Sequence, residues 1–181
     1  MMRHLLRAGP LLAAALSLQA APVPFSAQVS GQSDIVGVVD PAGPVVQVQT
    51  AASGSGSLGT LQYVSADRID LGTGQGQGHN RFVADDGSEL FGDFTVQLLP
   101  TADPALLALA GDVVFSGGSG RFADATGWAT FTGSGHFISA VNALTQFDFR
   151  GVLDVPEPAM PVLALTALAL ALRTRRHSTA G

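Results

Sequence analysis

The sequence predicts an all-β protein, a small antiparallel barrel of about eight strands. Three observations lead there. Short runs alternating apolar and polar residues recur along the chain, which is the period of a strand with one buried face. The runs are separated by turns built from glycine, with Ser, Thr, Asn, Asp and Pro. The stretch carrying them, residues 22–154, is one domain's worth of chain without a cysteine, so the fold must stand without disulfides.

In order, Met1 to Ala20 reads as a signal peptide. Arg3, His4 and Arg7 form a positive n-region, Leu11 to Leu18 a short apolar core, and Ala20 and Ala21 offer small residues for cleavage. Ile35 to Val39 and Val45 to Gln49 flank the turn-rich Asp40-Pro41-Ala42-Gly43-Pro44. Leu61 to Val64 and Arg68 to Leu71 are either two strands or one bulged strand. Leu71 to Asn80, with glycine at 72, 74, 76 and 78, reads as a mobile loop. Arg81 to Ala84 and Glu89 to Phe91 form a hairpin with Asp86-Gly87 at its tip. Phe94, Val96 and Leu98 alternate with Thr95 and Gln97. Pro104 to Ala110 fits a helix, a loop or an edge strand. Phe147, Phe149, Gly151 and Leu153 give the last strand an apolar face. Closing such a sheet on itself removes exposed edges, which favours a barrel over an open sandwich.

Charge narrows the partners. Residues 22–154 hold four arginines, no lysine and 13 of the 14 acids, a balance of −9 that the whole-chain value of −5 hides. So acidic a surface argues against nucleic acid and anionic membrane as partners.

The C-terminus carries a second address. Val155-Pro156-Glu157-Pro158 is extended, since prolines cannot sit inside a regular helix and bias the residues before them. Residues 159–172 are apolar apart from Thr166, followed by Arg173, Arg175 and Arg176. As a helix this segment spans roughly 21 Å, short of the hydrocarbon core of about 30 Å. The arginines are the cytoplasmic stop expected of a membrane span. The whole, residues 155–181, resembles the PEP-CTERM sorting signal of Gram-negative bacteria. The resemblance implies a box at 155–158 recognised through Pro156, Glu157 and Pro158, a single transmembrane helix at 159–172, and a basic tail at 173–181. It also implies processing by an exosortase after passage through the Sec export machinery. The product would be held transiently in the inner membrane with its domain, residues 21–154, in the periplasm. It would then reach the cell surface or the extracellular space.

Within the domain, Phe115 to Trp128 contains Gly117-Gly118-Ser119-Gly120-Arg121-Phe122, with Gly127 following. This segment is similar to one in barrels of the allene oxide cyclase and dirigent type. Glycine permits positive φ and close backbone approach at a tight turn between strands. Phe122 and Trp128 are expected to fill a barrel end, and Arg121 to bond backbone carbonyls or Asp124.

Catalytic and metal chemistry find little support. Gly54-Ser55-Gly56-Ser57-Leu58-Gly59 has the letters of a dinucleotide fingerprint without a strand–turn–helix context, and reads as a flexible turn. Asp85, Asp86, Glu89 and Asp93 could gather round Ca²⁺, but read more simply as a solvated hairpin tip. His79 and His136 are the domain's histidines, and no cysteine or Gly-x-Ser-x-Gly elbow is present. The expectation is a non-enzymatic protein of the surface or extracellular matrix, in contact with exopolysaccharide, with no cofactor, metal or catalytic residue. The alternative is a barrel that binds or processes a small apolar ligand. A hollow interior would favour the alternative, a filled one the first reading.

Overall fold

Alternation becomes eight strands in the structure, a computed structural model that describes residues 22–40 and 43–155. They are β1 (Pro22–Asp40), β2 (Val45–Gly56), β3 (Gly59–Asp70), β4 (Gln75–Ala84), β5 (Glu89–Pro100), β6 (Leu106–Gly118), β7 (Thr126–Phe137) and β8 (Asn142–Asp154). Each pairs antiparallel with the next, and β8 returns to β1 from Pro22↔Asp154 to Asp34↔Asn142, closing the barrel. Every strand therefore has two partners, and the edge problem disappears. A 3-10 turn, Gly120–Phe122, interrupts the β6–β7 connection. Among the described residues no helix is long and apolar enough to cross a membrane. Residues 1–21, which hold the stretch read as a signal peptide, and everything from Pro156 onward, with Glu157, Pro158, Arg173, Arg175 and Arg176, lie outside the described residues.

The barrel has two unlike ends. The β2–β3, β4–β5 and β6–β7 connections share one end with Pro22 and Asp154. The other four connections ring the opposite end. Inward positions near the first end carry Phe25, Leu61, Phe82, Leu90, Phe115, Phe149 and Leu153, all buried. Their rings meet mostly edge to face, as at Phe25–Phe115 (centroids 4.9 Å apart) and Phe82–Phe149 (5.1 Å), a favoured aromatic geometry. Phe122 caps this end from the 3-10 turn and is 2% exposed. This end is closed.

Several sequence expectations need correction. Residues 75–80 are not loop but the first half of β4. Gly76 and Gly78 face inward there, and a Cβ on Gly78 would come within 2.5 Å of the Asp67 Cβ. Strand pairing holds this segment, while glycine erased the alternation that would have revealed it. Of the helix, loop and edge strand left open for Pro104 to Ala110, the structure takes strand over Leu106 to Ala110, which opens β6, here paired on both sides. Gly54 to Gly56 belongs to β2, leaving only Ser57 and Leu58 as the turn. Gly59 to Asp70 is one strand whose pairing with β2 runs unbroken. Trp128 does not fill the barrel end: it points outward from β7 and is 54% exposed. Its neighbours Gly127 and Ala129 take the inward positions, since successive side chains alternate across a sheet.

Candidate functional site

Above a layer formed by Tyr63, Phe94, Phe131 and Phe147, the interior opens. A cavity of about 90 Å³ runs from this layer to the far end. One buried water needs about 10–15 Å³, so the cavity has room for several waters or for one small molecule. The walls include Ile35, Val46, Val48, Ile69, Val96, Leu98, Leu107, Leu109 and Ala143, with Gly135 and Thr145. Eight-stranded barrels are just wide enough for side chains to fill or for one small ligand. Here the phenylalanines fill one half, and smaller aliphatic residues at equivalent positions leave the other hollow.

A polar seam crosses the apolar wall. The Ser33 and Thr50 hydroxyls lie 2.7 Å apart, and Ser33 donates to Thr145 Oγ1 at 3.3 Å, tying β1 to β2 and β8. On β3, Ser65 donates to Asp67 Oδ1 at 3.3 Å. Across the β3–β4 ladder from Ser65 sits Asn80, 4% exposed, whose amide nitrogen and oxygen have no hydrogen-bond partner. Such orphaned groups are uncommon in protein interiors and costly.

Asp67 is 7% exposed and lines the cavity. Burial pushes its carboxyl up to about 6, and the Ser65 hydrogen bond offsets only part of that. Burial, and to a lesser degree the Asp67 charge, also raises the Tyr63 phenol. Because the Asp67 carboxyl rises from 3.8, the folded state binds its proton more tightly than the unfolded chain does. Asp67 therefore weakens the fold above pH 6, and that penalty fades as pH falls towards 4. Asp34, Asp86 and Asp148 are shifted the opposite way, chiefly by hydrogen bonds from Gln32, the Ser88 backbone and Arg150 respectively. They contribute equally to parent and variant. Asp67→Asn should thus gain about 2–3 kcal/mol on the parent between pH 4 and pH 7.5, read from urea unfolding at each pH. A difference independent of pH would refute the buried-carboxylate assignment.

The residues singled out by sequence sit elsewhere. Gly117 has φ 113° where the β5–β6 register shifts between Phe91 and Gly92, leaving Ser116 as the extra residue of a bulge. Gly118 abuts the Glu89 backbone, Gly120 packs on Ser88, and Gly127 on the Val152 carbonyl. Arg121 Nη2 donates to the Leu58 carbonyl at 3.2 Å, and its Nη1 lies 3.5 Å from Asp86 Oδ2 rather than on Asp124. Its guanidinium also stacks 4.8 Å over the Phe122 ring. The motif thus locks three connections of the closed end together.

The four hairpin acids do not converge. Asp86 goes to Arg121, Glu89 to Arg81 at 3.1 Å and Asp93 to His79, while Asp85 lies beside Gly59. Among the described residues no three His, Cys, Asp or Glu side chains are grouped to hold a metal ion. His79 and His136 face outward, away from the cavity.

Sequence reading missed the cavity's polar residues, although a signal was present. In Leu61-Gln62-Tyr63-Val64-Ser65-Ala66-Asp67-Arg68-Ile69 the odd positions share one face, so Ser65 and Asp67 stand among Leu, Tyr and Ile. In comparisons with known proteins, no family model, curated protein or solved structure matches this chain.

Proposed function

We propose that this barrel is the exported part of a non-enzymatic surface or extracellular-matrix protein, and that its open half holds a small apolar ligand. The cavity is the observation that carries the reading: an enclosed apolar wall beneath an open end. The rim adds to it. Val36, Val38, Leu71, Leu99, Ile138 and Val141 are exposed on the strand ends and turns round the mouth, where an apolar molecule would enter. Binding rather than catalysis is favoured by the lining, whose ionisable groups are Asp67 and Tyr63 alone. Benzene, small and uncharged, should raise the melting temperature of the protein saturably, because a ligand that binds only the folded state stabilises it by mass action. Ala143→Phe, which fills the cavity, should abolish that rise. No rise in the parent would defeat the ligand reading.

Delivery through an exosortase rests on the sequence from Pro156 to Arg176. The barrel's geometry is compatible with it. Pro22 pairs with Asp154, so the barrel begins and ends at its closed end, opposite the mouth. Glu157→Ala should leave export intact but retain a longer, membrane-bound form in a host that carries an exosortase. Mass spectrometry of released protein checks this. Secreted protein still carrying Arg173 to Gly181 would contradict it.

A further inference from the structure

We propose that the cavity takes an alkyl amine, its ammonium group seated on Asp67 and its apolar chain directed along the aliphatic wall towards the mouth. The inference rests on the ligand-binding reading above and adds the chemistry of the head group. Asp67 is a buried carboxyl group on an apolar wall, with one hydrogen bond, from Ser65 at 3.3 Å. A buried carboxylate needs a counter-charge or a full set of donors. The lining supplies no counter-charge, having no Arg, Lys or His, and Ser65 is the one side chain that donates to the carboxylate. The domain's arginines are on the outer face. Arg81, Arg121 and Arg150 pair there with Glu89, Asp86 and Asp148, and Arg68 is exposed.

The missing cation is what an ammonium head would bring. Its remaining N–H donors have acceptors near Asp67 in the hydroxyls of Ser65 and Tyr63, both on the cavity wall. Fatty acids are disfavoured by the same geometry, since their carboxylate would be brought beside that of Asp67 with no cation between them. A neutral alcohol would enter but leave the charge unpaired.

Purified full-length protein titrated with hexylamine, 1-hexanol and hexanoate at pH 8, by calorimetry, separates these classes. Hexylamine should bind at least about tenfold tighter than 1-hexanol, as expected for a charge-assisted hydrogen bond, and hexanoate most weakly. Asp67→Asn should erase the preference for the amine while keeping 1-hexanol binding, which also reports that the variant is folded. Lowering the pH to 5 should weaken hexylamine in the parent alone. The groups packed round Asp67 are Tyr63 and Ser65 on β3, Val48 and Thr50 on β2, and Gly78 and Asn80 on β4. Of these only Tyr63 titrates, and burial shifts it further upward, away from this range. Equal binding of amine and alcohol, or a preference that survives Asp67→Asn, would overturn the amine assignment and leave the apolar site standing. Binding of none of the three would overturn both.

Discussion

Phe122→Ala should destabilise the barrel by about 3–5 kcal/mol, the range for removing a fully buried aromatic ring. The ring is 2% exposed and packs with the core that closes the end where Pro22 and Asp154 pair. It comes from a three-residue 3-10 turn with few hydrogen bonds of its own, so packing must hold the turn in place. Deleting the ring also removes the surface on which the Arg121 guanidinium stacks, 4.8 Å away. The surrounding phenylalanines belong to strands paired on both sides, and cannot collapse freely into the space. Trp128→Ala is the informative contrast. Its side chain is larger but 54% exposed, so the change should cost no more than about 2 kcal/mol, below the loss at Phe122. Urea unfolding of both variants tests the pair. Equal losses would mean that the closed end is not packed as described.

Gly118→Ala should cost about 3 kcal/mol or more, at the upper end of what overpacking does. The reason is space, not conformation. Gly118 does not have positive φ, but a Cβ there would stand 1.8 Å from the Glu89 carbonyl oxygen and 3.1 Å from the Leu90 Cα. Those are backbone atoms of a paired strand. They cannot rotate away, and Ser119 N–H donates to that same carbonyl at 2.8 Å. An alanine must therefore push β6 off β5 just where the glycine segment turns. Gly37→Ala is the control, because a Cβ there meets nothing within 4 Å and its φ is not positive. It should be neutral or stabilising by up to about 1 kcal/mol through the unfolded chain. Thermal melts that place the two variants together would contradict the close approach of β5 and β6.

The barrel was legible wherever large residues mark the inner face. Phe147, Phe149 and Leu153 announce β8, and Phe94 and Val96 announce β5. It faded where the inner face is glycine, as at Gly76 and Gly78, because an absent side chain leaves no hydrophobic period to read. It faded again at Leu106 to Ala110, where both faces are half-buried near the mouth and alternation is lost. Trp128 misled because its size suggests a core residue, while register alone decides which face it takes. The cavity was not legible at all. Which half of a barrel is filled depends on how eight separate strands stack their small and large residues at one level, and no single strand carries that. Asp67 was visible as an acid on an apolar face, but its role depends on what faces it from β2 and β4.

The hollow half is the central claim, and methyl NMR during a benzene titration tests it most directly. Val48, Ile69 and Val96 line the cavity, whereas Leu90, Val113 and Leu153 pack below it. Benzene should shift the first three along a saturable curve and leave the other three nearly still. A titration that shifts none of the cavity methyls, or moves only those of the closed end, would contradict it.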